Sequence, residues 1–291
     1  MKNTNLFLLL CSLFFLFQVS VQGQVSDYGS RTKIHKLTSE QQHDYKLRVT
    51  LPNNYDSTQT YKVLYYLDSW WLSEIVLGTH ALLHITDLID GVILVGIGLE
   101  GTGYDWNVQR NRDFTPTPYD IKKMRINFKT GRKENAAAVN AETTGGADAF
   151  LLFLETKVIK LIAQHYPNTK EERGFLGHSF GGLFGIYALQ ENPGLFSELI
   201  IISGALWWNK QEILTLEHFA KIKDKKTKLF ICYGGTESRL ITKSNLKINE
   251  ILAPIKSEAF QYEFTRYETA NHNSILPQAI YDGLLFLYGK K

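Results

Sequence analysis

Cysteine is almost absent: Cys11 and Cys232 are the only two in 291 residues. Surplus charge of one sign is absent too. The chain carries 32 Lys and Arg against 29 Asp and Glu, a formal charge of +3. Such a balance gives no case for nucleic acid or an anionic membrane as a partner. No apolar run reaches the roughly 20 residues of a membrane span. There is no internal repeat and no low-complexity tract. What remains is ordinary globular composition, 44% hydrophobic and 21% charged, with enough chain for a sizeable core.

The longest apolar run, Leu6 to Phe17, lies behind Lys2 and ahead of Val19, Val21 and Gly23. A basic start, an apolar stretch of about a dozen residues and small residues after it make a secretory leader, with cleavage expected after Gly23. A retained anchor is the alternative. The bulky Leu9 and Leu10 before Cys11 do not suit a lipoprotein site. Removal of the leader leaves Cys232 alone, which excludes an internal disulfide and a cysteine metal cluster. The expected organisation is a leader over residues 1–23 and one domain over 24–291.

Seven segments read as strands: Tyr45–Leu51, Tyr61–Leu67, Val92–Ile97, Gly174–His178, Leu199–Ser203, Lys228–Tyr233 and Tyr262–Tyr267. Most are continuous apolar runs, as expected of strands covered on both faces. Helical patterns lie between them: Ser73 toward Leu88, Ala147–His165, Leu183–Gln190, Ile213–Ala220, Asn245–Ile255 and Pro277–Tyr288. The alternation predicts a mostly parallel α/β sheet with helices on both faces. Glu100–Gly146 breaks the pattern, with no convincing strand or long helix. A connection that long is disordered or functional. Its Tyr104, Trp106, Phe114 and Phe128 suggest a lid or pocket wall.

Gly177-His178-Ser179-Phe180-Gly181 carries the chemistry. The motif G-x-S-x-G lies between a strand and a helix, where a tight, strained turn projects the serine hydroxyl above the sheet. Ser179 is the candidate nucleophile. A serine needs a base, and the order along such a chain is Ser, acid, His. His218 falls inside a helical pattern. His272 follows the last strand and precedes the last helix, where the base belongs. Glu237, just past the strand Lys228–Tyr233, is the candidate acid. Glu268 or a Ser-His dyad remain the alternatives. The oxyanion donors are expected to be the N–H of Phe180 and that of Ser69 or Trp70, in the loop after Tyr61–Leu67. Trp70-Trp71 and Trp207-Trp208 follow C-terminal strand ends, where open α/β sheets bind ligands. Trp106, Arg110, Trp207 and Trp208 are the candidate substrate-binding residues.

These residues resemble a known family. Arg110-Asn111-Arg112-Asp113-Phe114-Thr115-Pro116-Thr117, Gly145-Gly146-Ala147-Asp148-Ala149-Phe150, the serine motif through Leu183, Trp207-Trp208, and His272-Asn273-Ser274 with Pro277 are similar to hallmarks of the putative-esterase branch of the α/β-hydrolases. That branch includes siderophore trilactone esterases and esterase-D-like enzymes. The resemblance runs from about Tyr45 to the C-terminus. It implies a single α/β-hydrolase domain, in which the segment at about residues 100–146 would be the inserted lid. It implies hydrolysis of small-molecule esters without cofactor or metal, and places the triad on Ser179, His272 and Glu237. Two departures stand out. Relatives usually carry Asp-Gly where this chain has Asp68-Ser69, and often Ser-Pro-Ser where it has Ser203-Gly204-Ala205. Basic residues crowd the lid: Arg110, Arg112, Lys122, Lys123, Arg125, Arg132 and Lys133. Facing the pocket they would favour an acidic substrate, such as a catecholate siderophore; otherwise they are a solvated surface. An acyltransferase or peptidase on the same fold is the other enzymatic reading, and an inactive binding protein the non-enzymatic one. The sequence is silent on oligomeric state.

Overall fold

The computed structural model describes residues 28–290, apart from 100, 102, 121, 123–138 and 223. The expected leader, Phe128, Lys123, Arg125, Arg132 and Lys133 lie outside the described residues.

Eight strands form one sheet: β1 (Thr32–Thr38), β2 (Asp44–Thr50), β3 (Tyr61–Tyr66), β4 (Val92–Gly98), β5 (Thr169–His178), β6 (Glu198–Ile202), β7 (Thr227–Gly234) and β8 (Phe260–Tyr267). Their order is β1-β2-β4-β3-β5-β6-β7-β8. β2 runs antiparallel to β1 and β4, and the other pairs are parallel. This is the mostly parallel sheet that the alternation predicts. β1 was not among the seven expected strands. It is an edge strand with mostly exposed or half-buried residues, so its Lys- and His-rich sequence carries no buried apolar run.

The central strands read as apolar because both their faces are covered. Every residue of β4 and β6 is buried. Period-two alternation then divides the core. Val63, Tyr65, Phe175 and Ile201 face a cluster shared with α3 (Ala147–Phe153), α4 (Ile159–His165), α5 (Phe180–Glu191) and α6 (Arg239–Leu252). Leu64, Tyr66, Leu176 and Ile200 face the other cluster, with α1 (Ser69–Ile85) and α7 (Leu276–Tyr288).

Four expected helices need correction, among them the pattern Asn245–Ile255, since α6 begins six residues before it and ends at Leu252. α1 starts at Ser69, four residues before the expected Ser73, so the loop after β3 is shorter than expected. The pattern Ala147–His165 is interrupted by a π-helical turn at Leu154–Val158. Only Leu216–Ala220 of the pattern Ile213–Ala220 is helical. The segment expected as a lid holds a helix that the sequence did not suggest, α2 (Gly103–Asp113). Its residues are predominantly polar, and its four buried residues, Gln109, Arg110, Asn111 and Asp113, are all polar, so no apolar stripe marks it.

Candidate active site

The parallel strands end along one edge of the sheet, and the functional loops leave from there. β5 ends at His178, α5 begins at Phe180, and Ser179 alone makes the turn. Its backbone has φ 59° and ψ −117°, a region costly for a residue with a Cβ. Hydrogen bonds over-determine it. Its N–H donates to Ile202 O (3.0 Å), and its carbonyl accepts from Leu183 N (3.0 Å) and Ala205 N (2.9 Å). The turn admits no side chain at Gly177, where a Cβ would lie 2.2 Å from the Gly181 carbonyl oxygen.

His272 lies in the loop between β8 and α7. Its Nδ1 is 2.7 Å from Glu237 Oε2. Its backbone carbonyl is 2.8 Å from His178 Nε2. Burial holds the His178 ring well below its ordinary pKa, and the neighbouring His272 and Arg110 lower it further. His178 is therefore neutral. Its Nε2–H is the donor that ties the serine turn to the histidine loop. The loop is closed on itself as well: Asn271 Oδ1 accepts from the N–H of Asn273 and of Ser274, each at 3.0 Å.

Glu237 follows β7, and its side chain is 1% exposed. Oε1 accepts from Ser203 Oγ (2.5 Å) and Gly234 N (2.6 Å), while Oε2 faces His272. Burial alone would raise its pKa. The hydrogen bonds from His272, Ser203 and Gly234 outweigh burial and hold it below the usual carboxylate range. An anionic Glu237 requires the proton of His272 on Nδ1, which leaves the lone pair on Nε2. Glu268, the alternative acid, pairs instead with Arg266 at the surface (3.1 Å).

Phe180 and Ser69 are the first residues of α5 and α1. The opening N–H groups of a helix have no acceptor within it. Asp68, ahead of Ser69, is left-handed at φ 58° and ψ 36°. The pocket candidates divide. Trp70 is 51% exposed and packs edge-to-face on half-buried Trp106, with ring centroids 4.9 Å apart. Trp207 is half-buried, 6.1 Å from the Phe180 ring. Trp208 is 1% exposed and donates Nε1–H to Thr117 O (3.1 Å), so it anchors the chain around Thr117 rather than lining a cleft. Arg110 is buried against Asp68, and Arg112 is paired with Asp113. Neither is a free cation facing an open pocket. Sequence reasoning missed Asp68, His178 and Ser203. The departures at Asp68-Ser69 and Ser203-Gly204-Ala205 marked the loops of two of them.

A cavity of about 500 Å³ lies at the other end of the strands, lined among others by Tyr61, Lys62, Lys170, Lys228 and Tyr288. It contains none of the candidate catalytic residues. Among the described residues no group of three His, Cys, Asp or Glu side chains could hold a metal ion.

A family model described as "Putative esterase" matches residues 38–275. The chain belongs to that family. It has the α/β-hydrolase fold and is a carboxylic-ester hydrolase. Over 268 residues it is 27% identical to the ferri-bacillibactin esterase BesA of Bacillus subtilis, covering 88% of this chain and 89% of the relative. It is 25% identical to the siderophore enterobactin esterase of Emericella nidulans over 225 residues, 68% and 72% of the two chains. The crystal structure of the BES protein from Bacillus cereus superposes with a TM-score of 0.76 at 22% identity, covering 89% of this chain and 97% of that one.

Proposed function

We propose that this esterase acts through a Ser179–His272–Glu237 triad and an acyl-enzyme. The observation that carries the reading is the buried, anionic Glu237 on His272 Nδ1, with His272 braced by the residue next to the strained Ser179. His272 Nε2 takes the Ser179 proton as Oγ attacks the ester carbonyl. The tetrahedral oxyanion accepts from the N–H of Phe180 and from that of Ser69 or Trp70. Collapse expels the alcohol, which takes the proton from His272. Water, deprotonated by His272, then releases the acid.

The substrate class we infer is a siderophore ester, in keeping with the relatives' activities. Trp70 on Trp106, in the expected oxyanion loop and α2, and Trp207 beside the Phe180 ring would supply an aromatic rim for such a substrate. We further propose that the chain is exported by its N-terminal leader as one domain with a lid. Among the described residues no helix is long and apolar enough to cross a membrane. Labelling by a fluorophosphonate, lost in Ser179→Ala, tests the nucleophile. A hydrolysis panel of ferric trilactone, aryl esters and sugar esters tests the substrate. Preference for a sugar ester over the trilactone would overturn the siderophore reading.

A further inference from the structure

Asp68 occupies the N-cap of α1, where an aspartate ordinarily accepts a hydrogen bond from the N–H of the second or third helical residue. Here its side chain makes no cap hydrogen bond. The carboxylate is turned away from the helix and held by the lid. Arg110 donates Nε–H to Oδ1 (2.8 Å) and Nη2–H to Oδ2 (3.0 Å), and Trp106 donates Nε1–H to Oδ1 (3.1 Å). Asp68 is wholly buried at its side chain and Arg110 is 10% exposed. The guanidinium is packed in turn. It lies 4.7 Å from the Trp106 ring centroid, 5.6 Å from Phe114 and 5.7 Å from Phe180, and Nη2 is 3.4 Å from the His178 carbonyl.

We propose that Arg110 is a positioning residue that keeps the oxyanion hole open by holding the Asp68 carboxylate off the first N–H groups of α1. This rests on the reading of Ser179 as nucleophile. Freed of the clamp, Asp68 would relax from the left-handed to the extended backbone of an ordinary cap, which brings its carboxylate onto those donors. It would occupy them and set a negative charge where the transition state must develop one. The left-handed Asp68 backbone also leans on the clamp, because even an aspartate adopts that conformation only occasionally. Arg110 commits its Nε–H and Nη2–H to protein oxygens. It acts through Asp68 and not on the substrate. The lid helix therefore reaches the chemistry through one bidentate ion pair.

The test uses p-nitrophenyl acetate, a neutral ester that offers an arginine no charge to recognise. Arg110→Gln lowers kcat by on the order of 10²-fold, the scale of losing an oxyanion donor, with KM within about threefold. Adding Asp68→Gly removes the intruding carboxylate and supplies a residue at ease in the left-handed turn. The double variant then recovers kcat to within about tenfold of wild type. A double variant as slow as Arg110→Gln overturns the proposal, as does an Arg110→Gln that raises KM and leaves kcat alone. If Arg110→Gln is unstable, the double variant, which leaves no buried charge unpaired, is compared with wild type directly. A kcat down by about 10²-fold or more there also overturns it. An active Ser179→Ala would instead sink the reading of the whole site. A slow double variant beside an inactive Ser179→Ala sinks the lock alone.

Discussion

Glu237 accepts from three donors, and those bonds decide which nitrogen of His272 is free to act as base. Glu237→Gln keeps the shape but replaces an acceptor-only group with one that also donates. Loss of the orienting carboxylate costs roughly 10⁴ in kcat in a serine protease triad. Glu237→Gln should show a loss of that order, while Glu268→Gln, already paired with Arg266 at the surface, stays near wild type. Equal losses in the two variants would remove Glu237 from the triad. Ser179→Ala should fold, since its backbone partners remain, and lose activity by on the order of 10⁶ in kcat. A kcat within about tenfold of wild type would exclude Ser179 as nucleophile.

At the scale of the element, α2 shows where legibility ends. Ser179, His272 and Glu237 could be singled out as candidates because strand, tight turn and helix follow one another in a pattern set by local sterics and apolar periodicity. The lid helix has no such pattern. Its buried side chains are polar, and Arg110's partners, Asp68 and the His178 carbonyl, lie 42 and 68 residues away in sequence. No local signal announces an ion pair that distant. The same reasoning explains why Arg110 and Trp208 were expected in the pocket and are buried, while Trp70 and Trp106 remain at the surface of the site. Trp106 has two separable contacts, its ring on Trp70 and its Nε1–H on Asp68. Trp106→Ala removes both and Trp106→Phe only the second. If the rim binds substrate, the ratio of kcat/KM for long and short acyl esters changes in Trp106→Ala and not in Trp106→Phe. An unchanged ratio with a lower thermal midpoint in Trp106→Ala would return the rim to a structural role.

The fold buries two histidines, His178 in the site and His80 away from it, and both bear on acid stability. His178 sits between β5 and the His272 loop. His80, on α1, accepts from Val92 N–H at the start of β4 (3.1 Å), so its Nε2 must stay unprotonated. Burial is the main cause of its low pKa, with the charges of His84 and Arg31 adding to it, and it is pushed down to about 3. The sign follows from linkage. An unfolded histidine titrates near 6.5, so below that the unfolded chain binds a proton that the folded chain refuses. The folded state therefore keeps its full stability above pH 6.5 and loses it as pH falls, by about 1.4 kcal/mol per pH unit for each such histidine until its folded pKa is reached. His80→Gln retains an acceptor for Val92 N–H and cannot titrate. Its stability at neutral pH should fall modestly through imperfect packing, but its slope against pH between about 6 and 4 should be smaller than that of wild type by close to one proton. Urea unfolding of both proteins at pH 7, 6, 5 and 4.5 measures the two slopes. Parallel lines would mean that His80 is protonated in the folded protein, and that the hydrogen bond from Val92 does not hold it neutral.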